Sequence, residues 1–419
     1  MSNFKDLPKI SWPEGISEAE KAEMRDLLRT FDKAAGDFER DRAVIYPSEQ
    51  ERHRLFHASL NRWRKEWLKP GQCMHQGCSS RSIPRSHTIP MSASLKQIAE
   101  HGHLVTPGFG ASGIELMRIG VRDASTFPGF CDVHELEFTE FESQKKLTEE
   151  RHFWLQAFRT LCREIYTKRH YKQKVEAALN GYRNLREAFI IARMDQVQRE
   201  KPVSVQGVRF EKDSLEEQGV AQIDLLSRVT IELEELYNGV LEELQGRSGK
   251  IVMEVRAIDL KLPVCLAGVG NLPYRSADTV RCALCLIAVI PEANETKFLI
   301  GAAEEHEAAL ARYMQDTSST TMLQRVESWM CHGSDHWFMT PSAWDAIPQV
   351  RKDATCNRIL DTAYSIGHPV EFSVLDGCRN KILSAAEERL RARTIPPEDV
   401  ERATALIAEE KAKLNWTGL

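Results

Sequence analysis

Two short stretches hold the residues best suited to chemistry. Cys73-Met74-His75-Gln76-Gly77-Cys78 sets two thiols on either side of a tight turn, and Cys131-Asp132-Val133-His134 sets a thiol close to an imidazole. Thiolate sulfur and imidazole nitrogen are the donors that tetrahedral Zn²⁺ takes, and structural sites draw them in close pairs across short turns. Cys73, Cys78, Cys131 and His134 are therefore expected to hold one structural zinc ion; taken separately, the pairs would be two unrelated turns. Between them lies Ser86-His87-Thr88-Ile89-Pro90. The His87 imidazole titrates near neutral pH in its ordinary state, which suits proton transfer.

Helices must carry the chain into and out of this segment. Ser17-x-x-Glu20 reads as a capping box that starts a helix with Met24, Leu27, Leu28, Phe31 and Phe38 on one face. Ser48-x-x-Glu51 starts a second, whose stripe of Phe56, Leu60, Trp63 and Trp67 stops at Pro70-Gly71. Residues 105 to 130, with glycines at 108, 110, 113, 120 and 129, read as loops and short strands. Past His134 the spacing predicts three long helices, over about 154 to 165, 175 to 189 and 226 to 244.

The period changes at Lys250. Ile251, Met253 and Val255 alternate as in a strand, then Ile258, Leu260, Leu262, Val264 and Leu266 continue in the other phase, which predicts a bulge or a break. Cys282 to Ile290 reads as a buried strand, Pro291 to Glu295 as a turn, and Lys297 to Ala302 as the hairpin partner. Helices are expected at about 304 to 315, 319 to 331, 374 to 393 and 397 to 414, with Pro397 in a first turn.

The chain of 419 residues is long enough for several cores, and hydrophobic residues at 42% with charged residues at 28% describe a globular protein. A net charge of −5 excludes a uniformly basic coat. Charge is nevertheless uneven: between Glu49 and Pro90, eight lysines and arginines stand against three acids. This basic 52–85 region fits contact with the phosphates of DNA or RNA, or a solvated helix face. No apolar run is long enough to span a bilayer and the N-terminus lacks a signal-like pattern, so a cytoplasmic setting is expected, with the ten cysteines as thiols and metal ligands.

The cysteine pair, the internal Ser-His-Thr-Ile-Pro element and the Cys-x-x-His pair leading into a helix resemble the zinc-containing branch of HNH endonucleases and related treble-clef fingers. The resemblance covers about residues 73–150. It implies that zinc on Cys73, Cys78, Cys131 and His134 holds the fold, and that His87 is the catalytic base activating water. It further implies that a separate divalent cation, Mg²⁺ or Mn²⁺, stabilises charge on phosphate, in a setting of bacterial genome defence. Ser86 stands where the family commonly places a metal-binding Asp or His, and the following helix offers Glu135, Glu137, Glu140 and Glu142 in place of Asn or His. A cation near Glu135 or Glu137 is the corresponding expectation.

The expected fold is α+β: a helix-dominated multidomain protein with an inserted HNH-like zinc module and a small C-terminal mixed α/β domain. Its segments are 1–70, N-terminal helices; 71–150, zinc module; 151–248, long helices; and 249–419, mixed α/β. The competing functional expectation is a non-enzymatic zinc-stapled scaffold or sensor that binds a protein partner or small signal.

Other motifs carry less. Arg52-x4-His57 and Arg163-x6-His170 fit the loose pattern that resembles HEPN ribonucleases, and 166 to 174 mixes basic and aromatic residues. Cys282-x-x-Cys285 has redox spacing in an apolar strand and reads as inert buried thiols. Trp329 to Trp337, with Cys331 and His336, reads as an aromatic-anchored loop. His75 reads as a surface residue, and no P-loop, dinucleotide fingerprint, nucleophile elbow or His-Glu-x-x-His helix is present.

Overall fold

The computed structural model describes residues 15–41, 65–110, 113–198, 214–276, 279–359, 361 and 363–418. The protein is mixed α and β with a large antiparallel sheet. It divides into two compact units, residues 1–60 with 171–225, and residues 61–170 with 226–419.

In the first unit, α1 (Glu18–Asp41) starts where the capping box places it. The Ser17 backbone N–H donates to Glu20 Oε2 at 2.8 Å and the Glu20 N–H donates back to Ser17 Oγ at 3.3 Å. Ala34 and Phe38 bury the inner face, with the Phe38 ring 5.4 Å from Phe189 and 6.0 Å from Tyr182. Glu216, only 4% exposed, takes Arg183 at 2.6 Å and Arg186 at 2.7 Å. The expected second helix lies mostly outside the described residues, as do Arg52, Arg54, His57, Arg62 and Arg64 of the basic stretch; its end is seen as a helical turn at 65 to 67.

In the second unit, β1 (Ser86–His87) is followed by the hairpin β2 (His103–Phe109) and β3 (Ile114–Gly120), then β4 (Thr126–Phe127). Short helices α2 (Asp132–Glu135) and α3 (Thr139–Gln144) lead into α4 (Glu150–Gln198), of which residues 150–170 belong to this unit and the rest to the first; it merges two of the expected helices into one because no proline interrupts them. α5 (Ser214–Leu244), of which residues 226–244 belong to this unit, precedes strands β5 (Ile251–Ile258), β6 (Val264–Ser276), β7 (Thr279–Pro291) and β8 (Thr296–Ala303). The phase change expected near 257 is a break: β5 ends at Ile258 and a turn carries the chain to β6.

α6 (Glu307–Tyr313) and α7 (Ser319–Ser328) come next, then β9 (Trp337–Met339). α8 (Pro341–Asp345), α9 (Gln349–Ile359), α10 (Asp376–Arg391) and α11 (Pro397–Leu414) complete the unit. Pro397 stands in the first turn of α11, as expected.

The seven strands run in the order β3-β2-β9-β6-β7-β8-β5, every neighbouring pair antiparallel. Both faces are covered, so the central strands alternate between two cores. Cys265, Ala267, Leu286, Ala288 and Leu299 enter the core shared with the cysteine segment, α4 and α5. Val264, Leu266, Cys285, Ile287, Phe298 and Ile300 enter the core under the C-terminal helices. Burial on both sides is why 283 to 290 is apolar without alternation.

β9 is the element that sequence patterning missed. Trp337 fell in the expected aromatic-anchored loop and Phe338 and Met339 in no expected element, yet the three sit between β2 and β6. The hairpin from the expected 71–150 segment and the strands after 249 thereby form one sheet, and the compact units run differently from the four expected segments.

Candidate metal centre

Cys73, Cys78, Cys131 and His134 come together. Their donor atoms lie within 4.8 Å of one another, forming a group able to hold a metal ion. Each is placed by local backbone structure. The Cys73 N–H donates to the Ser80 carbonyl at 2.9 Å and the Cys78 N–H to the His75 carbonyl at 3.1 Å, closing a knuckle in which Gly77 takes φ +75°. That conformation is free of Cβ strain only in glycine. The Met74 N–H reaches the Gly129 carbonyl at 2.8 Å and the Ile83 N–H reaches Phe130 at 2.7 Å, so the knuckle is bonded to the chain entering α2. Cys131 caps α2 and His134 lies one turn along it, which brings both side chains to one side.

The distances suit a tetrahedral ion. His134 Nδ1 is 3.2 Å from Cys131 Sγ and 3.5 Å from Cys73 Sγ, and Cys78 Sγ is 3.9 Å from Cys131 Sγ. With Zn–S near ~2.3 Å and Zn–N near ~2.05 Å, a regular tetrahedron has S···S edges of about 3.8 Å and S···N edges of about 3.6 Å. A disulfide would require sulfurs about 2.05 Å apart. Burial pushes the Cys73 thiol up to about 11, whereas a hydrogen bond with the Ser80 backbone holds Cys78 below the usual thiol range. Three sulfurs and one imidazole nitrogen, two of the cysteines buried, are a donor set for zinc, which would keep the knuckle against the first turn of α2.

His87 sits on β1, paired with Thr126 of β4, so the knuckle, two short antiparallel strands and the metal-bearing helix follow in that order. Its imidazole is pushed down to about 4, first by burial and then by the Arg159 guanidinium, with Glu142 and the Ala124 backbone acting in the other direction. It is therefore neutral at pH 7, and its buried Nδ1 has no hydrogen-bond partner. Ser86 is a structural acceptor: its Oγ takes the Phe130 N–H at 3.1 Å.

Arg159 was not anticipated. It is 2% exposed on α4, donates to Glu135 at 3.0 Å and Glu142 at 3.3 Å, and lies 4.2 Å over the Phe138 ring. Glu142 also accepts the N–H groups of Met91 at 2.9 Å and Ser92 at 2.7 Å. Glu135 is thus already paired with a cation of the chain itself. Among the described residues, neither group able to hold a metal includes His87. The available signal was Arg159 directly after Phe158 of the expected apolar stripe Trp154, Phe158, Leu161 and Ile165, since a charge buried beside that stripe requires partners.

His75 is partly exposed, its side chain 26% accessible, and stacks on His134 with centroids 3.9 Å apart. Of the other sequence motifs, Arg163 pairs with Glu164, while His170 stacks on Tyr166 at 5.9 Å. Cys285 is buried as expected, but Cys282 is exposed on β7. Cys331 is buried in the second core, and His336 is bonded through Nε2 to Ser125 Oγ at 2.9 Å, so the two do not share a site. Within the basic stretch, Lys65, Lys69 and Arg81 are exposed and Arg85 pairs with Asp123 at 3.0 Å. Among the described residues, no helix is long and apolar enough to cross a membrane. Comparison with protein-family models, curated proteins and solved structures gives no significant match.

Proposed function

We propose that this is a zinc-binding, nucleic-acid-directed protein built on an HNH-like core, in which zinc on Cys73, Cys78, Cys131 and His134 is structural. The observation that carries the reading is the group of three cysteines and one histidine at tetrahedral spacing, with the β1–β4 pair that bears His87 lying in the chain between its two ligand pairs. His87 is neutral and can accept a proton, but its depression to about 4 makes it a weak base unless a nearby substrate charge raises it; the exposed Lys65, Lys69 and Arg81 support phosphate contact. Cleavage, the enzymatic form of this reading, requires Mg²⁺ or Mn²⁺ close to His87.

A second reading, a non-enzymatic zinc-stapled scaffold or sensor for a protein partner or small signal, is favoured by one observation. Arg159 pairs with Glu135, one of the two carboxylates expected to hold the catalytic cation, and with Glu142.

Elemental analysis of the purified protein, with cleavage assays on plasmid DNA and structured RNA in Mg²⁺ or Mn²⁺, separates the two. The first reading expects one tightly held zinc per chain, and cleavage that His87→Ala abolishes while zinc is retained. Zinc without cleavage by the wild-type chain selects the scaffold. Absence of zinc, or retention of full zinc by Cys131→Ala, would overturn the centre itself.

A further inference from the structure

Away from the metal centre, the long hairpin of β6 and β7 leaves a strand edge open. The two strands pair from Leu266–Val289 out to Ser276–Thr279, whereas β8 pairs with β7 only between Pro291 and Leu286. Among the described residues, 279–285 of β7 therefore have a partner strand on one side alone. The direction of the free groups follows from Pro273, which stands opposite Cys282. Proline has no N–H, so the two residues cannot exchange hydrogen bonds, and the Cys282 N–H and C=O turn away from β6. By the alternation of an antiparallel ladder, those of Val280 and Leu284 turn the same way.

This edge lines a cleft of about 970 Å³, together with α5 on one side and the turn after β8 on the other. Both walls are fixed to the sheet. The Glu304 N–H donates to the Lys250 carbonyl at 2.9 Å, and Tyr274, opposite Arg281 in the hairpin, bonds through its hydroxyl to His306 Nδ1 at 2.8 Å. Leu236, Ile251 and Leu284 give the α5 side an apolar strip. The rim is acidic: Glu232, Glu235, Glu304 and Glu305 are exposed, and Glu242 has Arg247 at 3.7 Å, against Lys250 and Arg281. An uncovered strand edge is a template for a further strand, and folds commonly block it with charge or a covering element. Here the outward-bonding residues are Val280, 73% exposed, with Cys282 and Leu284, none of them charged.

We propose that the cleft takes an extended, lysine- or arginine-rich segment of a partner protein, which adds to β7 as an antiparallel strand in line with β8. Main-chain hydrogen bonds to Val280, Cys282 and Leu284 supply the pairing, and side chains alternate between the two walls. Apolar residues of the segment meet Leu236, Ile251 and Leu284 on one face, while its cations meet Glu304 and Glu305 on the other, with Glu232 and Glu235 at the rim. The carboxylates select a basic segment over an acidic one, and the strand edge selects an extended segment over a helix. Neither reading of the metal centre assigns this cleft, and the binding does not depend on zinc.

The test titrates the full-length protein into two fluorescein-labelled octapeptides and follows anisotropy: one alternates lysine and valine, the other has the same composition with the lysines in one block. The alternating peptide is expected to bind at least about tenfold more tightly, because only that order places valines on one face of a strand and ammonium groups on the other. Cys282→Pro, which removes an N–H directed away from β6, should weaken binding at least about fivefold, and Cys282→Ala, which keeps the N–H, should leave it unchanged. Glu304→Gln combined with Glu305→Gln should weaken it at least about threefold at low salt. Bound peptide should also slow the labelling of wild-type Cys282 by a bulky maleimide. Equal binding of the two peptides, or unchanged binding by Cys282→Pro, would overturn the proposal. An equal loss in Cys282→Ala would overturn it too, by assigning the contact to the thiol. Should Cys282→Pro fail to fold, a peptide that leaves Cys282 labelling unslowed is sufficient to refute strand addition. A chain that dimerises with Cys282 protected in the absence of peptide would replace the partner segment with a second copy.

Discussion

Replacing Arg159 with methionine is expected to weaken the fold and to shift the proton affinity of His87 in the same experiment. The guanidinium is 2% exposed and neutralises Glu135 and Glu142, whose side chains are 23% and 19% exposed. Removing one partner of a buried ion pair costs about 3–5 kcal/mol, because the remaining charge is left uncompensated. Here both carboxylates touch solvent and recover part of their hydration, and methionine keeps much of the apolar stem against Phe138. A loss of about 3 kcal/mol, at the lower end of the range, follows. Arg159 is also the second cause, after burial, of the depression of His87. Without it, and with Glu142 no longer neutralised, the imidazole should rise from about 4 towards its ordinary 6.5, stopping short because burial persists. Urea unfolding monitored by tryptophan fluorescence reads the first effect and histidine NMR titration the second. A stability loss under about 1 kcal/mol, or an unmoved His87, would refute the argument that this cation organises the site.

Three further expectations can be checked directly. His87 in the wild type has a folded pKa of about 4 against an ordinary 6.5, so its neutral state contributes stability that is complete above pH 6.5 and lost as pH falls towards 4. The full contribution is about 3 kcal/mol, and His87→Gln should flatten the acid limb of a stability profile over that window by a comparable amount. At the base of the C-terminal helices, Arg379 is fully buried with Glu327 at 2.5 Å, and Glu327 also accepts the Val374 N–H at 2.9 Å. Arg379→Met leaves that carboxylate uncompensated and should cost about 3–5 kcal/mol by chemical denaturation, whereas replacing Glu327 and Arg379 together by apolar residues should cost less. Finally, a bulky maleimide should label exposed Cys282 in the native protein while sparing Cys285, Cys265 and Cys162, as read by mass spectrometry of peptides.

What could be read directly from residues was local. The cysteine and histidine pairs lie within a few positions of each other, so their spacing exposes the knuckle and the helical turn that hold them before any tertiary contact is known. The same holds for the Ser17–Glu20 capping box, the break after Ile258 and the β7–β8 hairpin, where each signal and its cause share a short stretch of chain. The joining of the two pairs into one group depended on Ile83 and Met74 bonding to 129 to 130, contacts between residues more than 40 positions apart. β9 was invisible because three buried residues are too few to display a period, and only β2 and β6 on either side make them a strand. The cluster of Arg159 with Glu142 and the stack of His75 on His134 likewise arose only through folding. Their charges and rings lie on separate elements, and α4 packed against α2 and α3 decided that a guanidinium would stand between two carboxylates beside His87.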